Sequence, residues 1–473
     1  MTLHPSRTFA LRNGLGLATC IAGSALLLLA AGCDASSDAS GGADDADAAA
    51  NASPDSGARG TGADASSSAG DGAPMLSTRD LELARMQAHL DSLYAQTDVV
   101  HRFTTAYGDA VDCVPFQKQP GFAQVASLDG ASPLLAAQPQ PARAAAVAGF
   151  GDGVDAAGNA RSCPSGAVPI RRITLAEVAR FATLEDFFAK APHHEVAPNG
   201  SAVVGPNGDL HEHAVYQSVV PNWGGQTTLN LWTPAVAAQT FSLSQLWVVR
   251  GAGTDLQSVE AGYTADRFRH PDDGDSRLFI YSTSDNYENK ALTGCYDLEC
   301  KAFVQLADTH VLIGGKFDKS SVFDGEQREL TLRWQFCPAT ECKAWEGWWL
   351  RYDGGATSEW VGFYPRSRYS AKGLHDEGSR VDFGGEVAYF QGASHPTTDM
   401  GSGQAAAAGF GRAAYQSNLL RITTDHAWAS FDSLLLQGDE APSCYESGAL
   451  IALPRIPTRS FYFGGTGYSE VCK

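Results

Sequence analysis

The sequence predicts an all-β fold, a jelly-roll-like antiparallel β-sandwich, with a smaller, partly helical segment in front of it. Three observations carry that expectation. From about residue 210 the chain consists of short aromatic or β-branched runs punctuated by Gly, Asp, Asn and Pro. No long helical periodicity interrupts those runs, so nothing supplies the crossovers that a parallel sheet needs. No Gly-rich phosphate loop follows any of them, which disfavours a nucleotide-dependent enzyme.

The runs expected as strands are Thr227–Thr233, Thr240–Arg250, Gln257–Ala265, Arg277–Ser284, Glu329–Phe336, Trp345–Tyr352, Glu359–Tyr364, Val381–Phe390 and Leu419–Thr424. In the second of them Phe241, Leu243, Trp247 and Val249 share one face, and Ser242 and Ser244 lie on the other. Ahead of the sandwich, Leu83, Met86, Leu90 and Leu93 recur at helical spacing and predict one amphipathic helix. Thr174-x-x-Glu177 and Thr183-x-x-Asp186 are consecutive capping boxes, the second with Asp in place of Glu, and predict two short helices. Residues 76–200 therefore read as a less regular unit of their own, 205–425 as the sandwich and 426–473 as a C-terminal extension.

The N-terminus reads as an export signal. Arg7 and Arg12 precede an apolar stretch from Leu15 to Ala31, and Leu29-Ala30-Ala31-Gly32-Cys33 follows the pattern of a lipobox, with Leu one place further from Cys33 than is usual. The expectation is an acylated Cys33, a lipid anchor in the membrane, and a place in the cell envelope, periplasmic or on the outer surface. Asp34 behind the cysteine points weakly to inner-membrane retention. Residues 34–75 are an Ala/Ser/Gly/Asp tether whose eight aspartates face a single basic residue, Arg59. With a net charge of −19 the chain is a poor partner for nucleic acid. A monomer is expected.

Beyond Cys20 and Cys33 there are eight cysteines, an even number that suits an exported, disulfide-bonded domain. Cys295/Cys300 and Cys337/Cys342 are spaced to close short turns; neighbourhood leaves Cys113 for Cys163 and Cys444 for Cys472. The spacings do not fit a zinc site. His211 and His213 share one strand face but lack a third ligand, so they read as solvent-exposed histidines, and no metal or cofactor is expected. Ser282, Ser284 and Asp285 lack a nucleophile elbow, and Asp272, Asp273 and Asp275 lack the length of a calcium loop.

Two glutamates stand in strand contexts with small neighbours on their own face. Glu260 shares its face with Ser258 and Gly262, and Glu386 with Gly384 and Ala388, which would leave a trough for a peptide backbone. Taken alone, each is most simply a carboxylate on a solvated strand. The surrounding blocks change this. His211-Glu212-His213-Ala214-Val215-Tyr216-Gln217 and Gly224-Gly225-Gln226-Thr227-Thr228-Leu229-Asn230-Leu231-Trp232 open a series. It continues through Phe241 to Val248, Val259-Glu260-Ala261-Gly262-Tyr263, Leu278 to Asp285, Thr293-Gly294-Cys295-Tyr296 with Cys300, Gly384-Gly385-Glu386-Val387 and Met400-Gly401-Ser402-Gly403. In number and order these blocks resemble the neprosin family of glutamic peptidases over roughly His211 to Thr424, and the paired helices at 174–191 resemble the region that precedes that domain in bacterial members.

The resemblance implies an acid-active endopeptidase that cleaves after proline on a β-sandwich, with Glu260 and Glu386 as its two catalytic carboxylates and proline-containing peptides or proteins as substrates. It also implies that 76–200 is an activation-like segment. Two acids sharing a cleft divide one proton between them: one accepts a proton from the attacking water, and the other donates to the oxyanion and the leaving nitrogen. Which glutamate starts as base is left open by the sequence. The alternatives are a glycan-binding or glycan-cleaving jelly roll and a non-catalytic surface module.

Overall fold

Each of the nine runs expected as strands contains a strand in the computed structural model. It describes residues 76–472 apart from 126, 134–146, 149–162, 193, 197–201, 205–208, 289–292, 355–357, 391–394, 432–434 and 453–457. The export signal, Cys33 and the acidic tether lie outside the described residues.

The strands that build the sandwich are β1 (Asp209–Asn222), β2 (Gly224–Asn230), β3 (Thr240–Arg250), β4 (Gln257–Asp266), β5 (Arg277–Thr283), β6 (Gln327–Cys337), β7 (Gly347–Asp353), β8 (Ser358–Pro365), β9 (Gly378–Phe390), β10 (Ala414–Ile422), β11 (Leu436–Gln437) and β12 (Arg459–Gly464). Among the described residues, one sheet runs β5-β4-β3-β9-β1-β11, with Cys295–Tyr296 added beyond β5. The facing sheet runs β8-β7-β6-β2-β10-β12 through its centre. The pairings within both are antiparallel wherever these strands meet. Strand β10 starts earlier than the alternation suggests, because Asn418 with φ 54° and a register shift between Ser417 and Leu420 break the period of two. The C-terminal stretch is part of the sandwich: β12 pairs with β10 and buries Phe461 and Phe463.

Register decides which face each residue uses. Glu260 pairs with Trp247, and Glu386 pairs with Leu243 and His213, so these side chains share one face of the first sheet. The sandwich interior takes the other face. Gln416 of β10 crosses it to donate to Ser244 Oγ, Gln245 O and Gly384 O, and a Cβ on Gly225 would meet Val381 and Leu246. Phe241, Leu243, Trp247 and Val249 do share a face, and it is the outer one, where Lys190 of the N-terminal segment stands over the Trp247 ring.

That segment begins with α1 (Thr78–Tyr94), which buries Met86, Leu90 and Leu93. A three-stranded sheet follows (His101–Thr104, Ala110–Pro115, Ala167–Arg171), and then α2 (Leu175–Val178) and α3 (Leu184–Phe188). Both short helices start with reciprocal capping boxes, Thr174 with Glu177 and Thr183 with Asp186. Their apolar residues Val178, Phe187 and Phe188 join the same apolar cluster as Tyr281 and Tyr296 of the sandwich. Four disulfides form, Cys113–Cys163, Cys295–Cys300, Cys337–Cys342 and Cys444–Cys472, which are the expected pairs.

Buried charges join the segment to the sandwich. Arg171 pairs with Glu177 at 2.7 Å and stands 3.8 Å from Glu299, and Arg269 pairs with Glu299 at 2.6 Å while stacking over Tyr296, 4.2 Å from its ring centre. Asp297 lies beside them, and burial, helped by the Glu299 charge, pushes its pKa up to about 7. A carboxyl raised in the folded state contributes stability below its unfolded pKa, and that contribution is lost as pH rises toward 7. Asp297→Asn keeps an acceptor for the Ile280 N–H, 3.1 Å away, and removes the titration. The expected outcome in calorimetry is a melting temperature that falls less between pH 4 and pH 8 than in the parent chain; an unchanged slope would rule Asp297 out as its source.

Candidate active site

The two glutamates meet at one nitrogen. Lys190, which follows α3, inserts its ammonium between them, with Nζ 2.7 Å from Glu260 Oε2 and 2.6 Å from Glu386 Oε2. The two carboxylates therefore lie within the reach of a single bridging atom. All three side chains are removed from solvent, Glu260 completely and Glu386 to 1%. Burial opposes each charge. The two carboxylates outweigh it for Lys190 and hold its pKa above the lysine range. For Glu386 burial is outweighed by Lys190, His213 and His211, which hold it well below the usual carboxylate range.

The partners of the two acids differ in kind. Glu386 accepts from Gln245 Nε2 at 2.9 Å and from His211 Nδ1 at 2.5 Å, and His213 Nε2 lies 3.7 Å away. Glu260 accepts at Oε1 from two neutral hydroxyls, Ser258 Oγ and Tyr287 Oη, each at 2.6 Å. Burial, and then the charge of Glu260, drive the Tyr287 phenol well above its ordinary pKa, so it stays a donor. Asn286 and Tyr287 both take positive φ, near 60°, and the Tyr287 N–H is held by Thr283 Oγ1, which turns the phenol back over β4.

Local packing fixes the lysine. Arg269 donates to Phe187 O, Tyr281 Oη donates to Phe188 O at 3.2 Å, and Tyr296 Oη donates to Lys190 O at 3.0 Å, so three carbonyls of the segment are pinned to the sandwich. Trp247 walls the same space, with its ring centre 5.1 Å from Lys190 Nζ. A cavity of about 410 Å³ opens alongside, from Lys190, His211 and Glu386 toward Asp382, Arg380 and Glu440. Burial raises the Asp382 pKa to about 6, against the pull of Arg380.

Three expectations from the sequence change here. His211 and His213 are not solvent-exposed bystanders: β1 brings both to Glu386, because residues 211, 213 and 386 share a sheet face. The glycines beside the acids do not simply widen a trough. A Cβ on Gly262 would stand 2.0 Å from Ser244 O, and one on Gly384, at φ +149°, would stand 2.2 Å from Ala214 O, so close backbone approach requires them. And the cleft is filled, by Lys190. Sequence reasoning missed Lys190, Gln245 and Tyr287; the one available signal was a lone charge in the apolar run Phe187-Phe188-Ala189-Lys190-Ala191. Two aspartates of the 272–275 turn are matched by cations, Asp273 by Arg277 and Asp275 by Lys316. Among the described residues, the possible metal ligands that cluster are His395, Cys444 and Cys472, and both sulfurs are tied up in their own disulfide.

Among solved structures, scytalido-glutamic peptidase with a transition-state analog inhibitor aligns over 54% of this chain and 98% of its own, at 6% identity and a TM-score of 0.29. A member of the eqolisin family of peptidases in complex with a tripeptide aligns over 54% of this chain and 96% of its own, at 7% identity and a TM-score of 0.26. The family model described as Neprosin matches residues 238–466, a span that takes in both glutamates and runs on past Thr424 through β12, so the chain carries a Neprosin domain.

Proposed function

We propose that this chain is an exported, acid-active glutamic endopeptidase that cleaves peptide bonds after proline, with Glu260 and Glu386 activating water between them. The observation that carries the reading is the convergence of two buried carboxylates on one site at the end of an open cavity. In the reaction a water takes the place of Lys190 Nζ. Glu386, flanked by two imidazoles and an amide, is the ionised base that accepts the water's proton as the oxygen attacks the scissile carbonyl. Glu260, surrounded by neutral hydroxyls, carries the proton; it hydrogen-bonds the developing oxyanion and then protonates the leaving nitrogen. The flat ring of Trp247, beside Glu260 in register, suits the ring of a proline. The chemistry calls for no metal.

The segment 76–200 acts in this reading as an activation segment that holds the enzyme latent by leaving Lys190 in the water's place. Cys33 is its lipid anchor, and the chain works as a monomer in the cell envelope. Glu386 is depressed by Lys190 only while the segment is docked. Its contribution to docking is therefore present above the undocked pKa and is lost as pH falls below it toward the docked value. Acid loosens the plug.

Two experiments test these statements. After incubation at low pH, the parent chain is expected to cleave proline-containing peptides, unaffected by chelators. Glu260→Gln and Glu386→Gln should each lower the rate by about 10²–10⁴-fold, and full activity in either variant would remove the dyad. Lys190→Met leaves two buried carboxylates without their cation, a loss of about 3–5 kcal/mol for a broken buried pair. This variant should therefore become active after exposure to a milder pH than the parent needs. If it needs the same acid step, Lys190 does not hold the enzyme latent.

A further inference from the structure

We propose that Glu440 is a positioning residue of the cleft, which holds the His213 ring so that its second nitrogen stays directed at Glu386. The inference rests on the reading of Glu386 as the reacting base and extends it to a group outside the dyad.

Glu440 arrives on a stretch of chain that is itself well fixed. Strand β11 pairs with β1, and beyond it Gly438 N donates to Val215 O at 2.9 Å and Glu440 N to His213 O at 3.1 Å, which continues the pairing. Asp439 accepts from Val215 N, Ser447 N and Ser447 Oγ, and Cys444–Cys472 closes the chain behind it. The Glu440 carboxylate accepts from the His213 backbone N–H at 3.2 Å and from its Nδ1 at 2.7 Å. A carboxylate can only accept, so Nδ1 carries a proton and Nε2 is the atom that faces Glu386 Oε2 across 3.7 Å. The other groups facing this ring are His211 from its own strand, Trp247 from β3, Asp382 from β9, and Lys190 from the N-terminal segment. His213 in turn is the main cause of the lowered pKa of Glu440 and one of the causes that hold Glu386 down. Glu440 thus reaches Glu386 through an imidazole.

Its removal has two opposed consequences, and they make the test decisive. Through space, losing the Glu440 charge favours ionised Glu386 and moves the acid limb of kcat/KM to lower pH. If Glu440 positions His213, losing it frees the ring, and the acid limb moves to higher pH. After acid activation of the full chain, Glu440→Ala is expected to shift that limb upward and to lower kcat about two- to fivefold, the scale of one half-exposed ion pair, with KM and melting temperature unchanged. Glu440→Gln keeps an acceptor for Nδ1–H and should retain most of the activity. Nitrogen-15 spectra of the intact chain give a second readout, with Nδ1 protonated and hydrogen-bonded in the parent and that hydrogen bond lost in Glu440→Ala. A limb that stays put or moves down, or a parent ring protonated at Nε2 alone, overturns the proposal. A parent chain without turnover, or an active Glu386→Gln, overturns the reading of the dyad on which it rests.

Discussion

An ammonium buried between two carboxylates is the constraint around which the first sheet and the N-terminal segment are arranged. Taking three charges out of water is expensive unless each is paired at close range and its remaining lone pairs and protons are satisfied. Here the satisfaction is nearly complete: Gln245, His211, Ser258 and Tyr287 supply the remaining donors, and Tyr296 holds the lysine's carbonyl. A lysine so placed fixes the segment's register to the sheet more sharply than apolar contacts would. Displacing it by one residue would leave a charge buried without a partner.

Sheet geometry makes the arrangement possible. Glu260 and Glu386 sit on β4 and β9, the two strands that flank β3, and antiparallel register puts both on its cleft face with Trp247, Gln245 and Leu243 between them. Because the side-chain period is two, a slip of one residue in either pairing would send one carboxylate into the sandwich interior. The contacts that guard the register are therefore part of the site. Gln416, reaching from the opposite sheet to Ser244, Gln245 and Gly384, ties β3 and β9 together at the level of the acids. The glycines at 262 and 384 let neighbouring backbones approach on the same strands.

What the sequence makes legible follows from the range of each interaction. The capping boxes at Thr174 and Thr183 and the short CxxxxC loops are closed within a few residues, so spacing alone specifies them. The strands are legible through alternation, except where the bulge at Asn418 interrupts it. Glu260 and Glu386 stand out only through the ordered blocks around them, since a lone glutamate on a strand is ordinarily solvated. Lys190, His213 and Glu440 belong to three distant parts of the chain, and no local pattern marks them as neighbours. The histidines illustrate the limit: their shared strand face is evident from the spacing, but not that the adjacent strand would bring a carboxylate to it.

The unequal surroundings of the two acids bear on more than the choice of base. With Lys190 in place, the ammonium offsets the charge of both carboxylates. In the proposed reaction its withdrawal leaves the cleft one positive charge short, and the cheapest replacement in a dry site is a proton on one of the acids. In the reading proposed above that proton goes to Glu260, whose remaining donors are hydroxyls, rather than to Glu386, which has two imidazoles beside it. Departure of the lysine would then supply both things the reaction lacks, a vacancy for water and a protonated general acid. In that reading low pH would serve both ends at once, by weakening the ion pairs that hold the plug and by providing the proton that succeeds it.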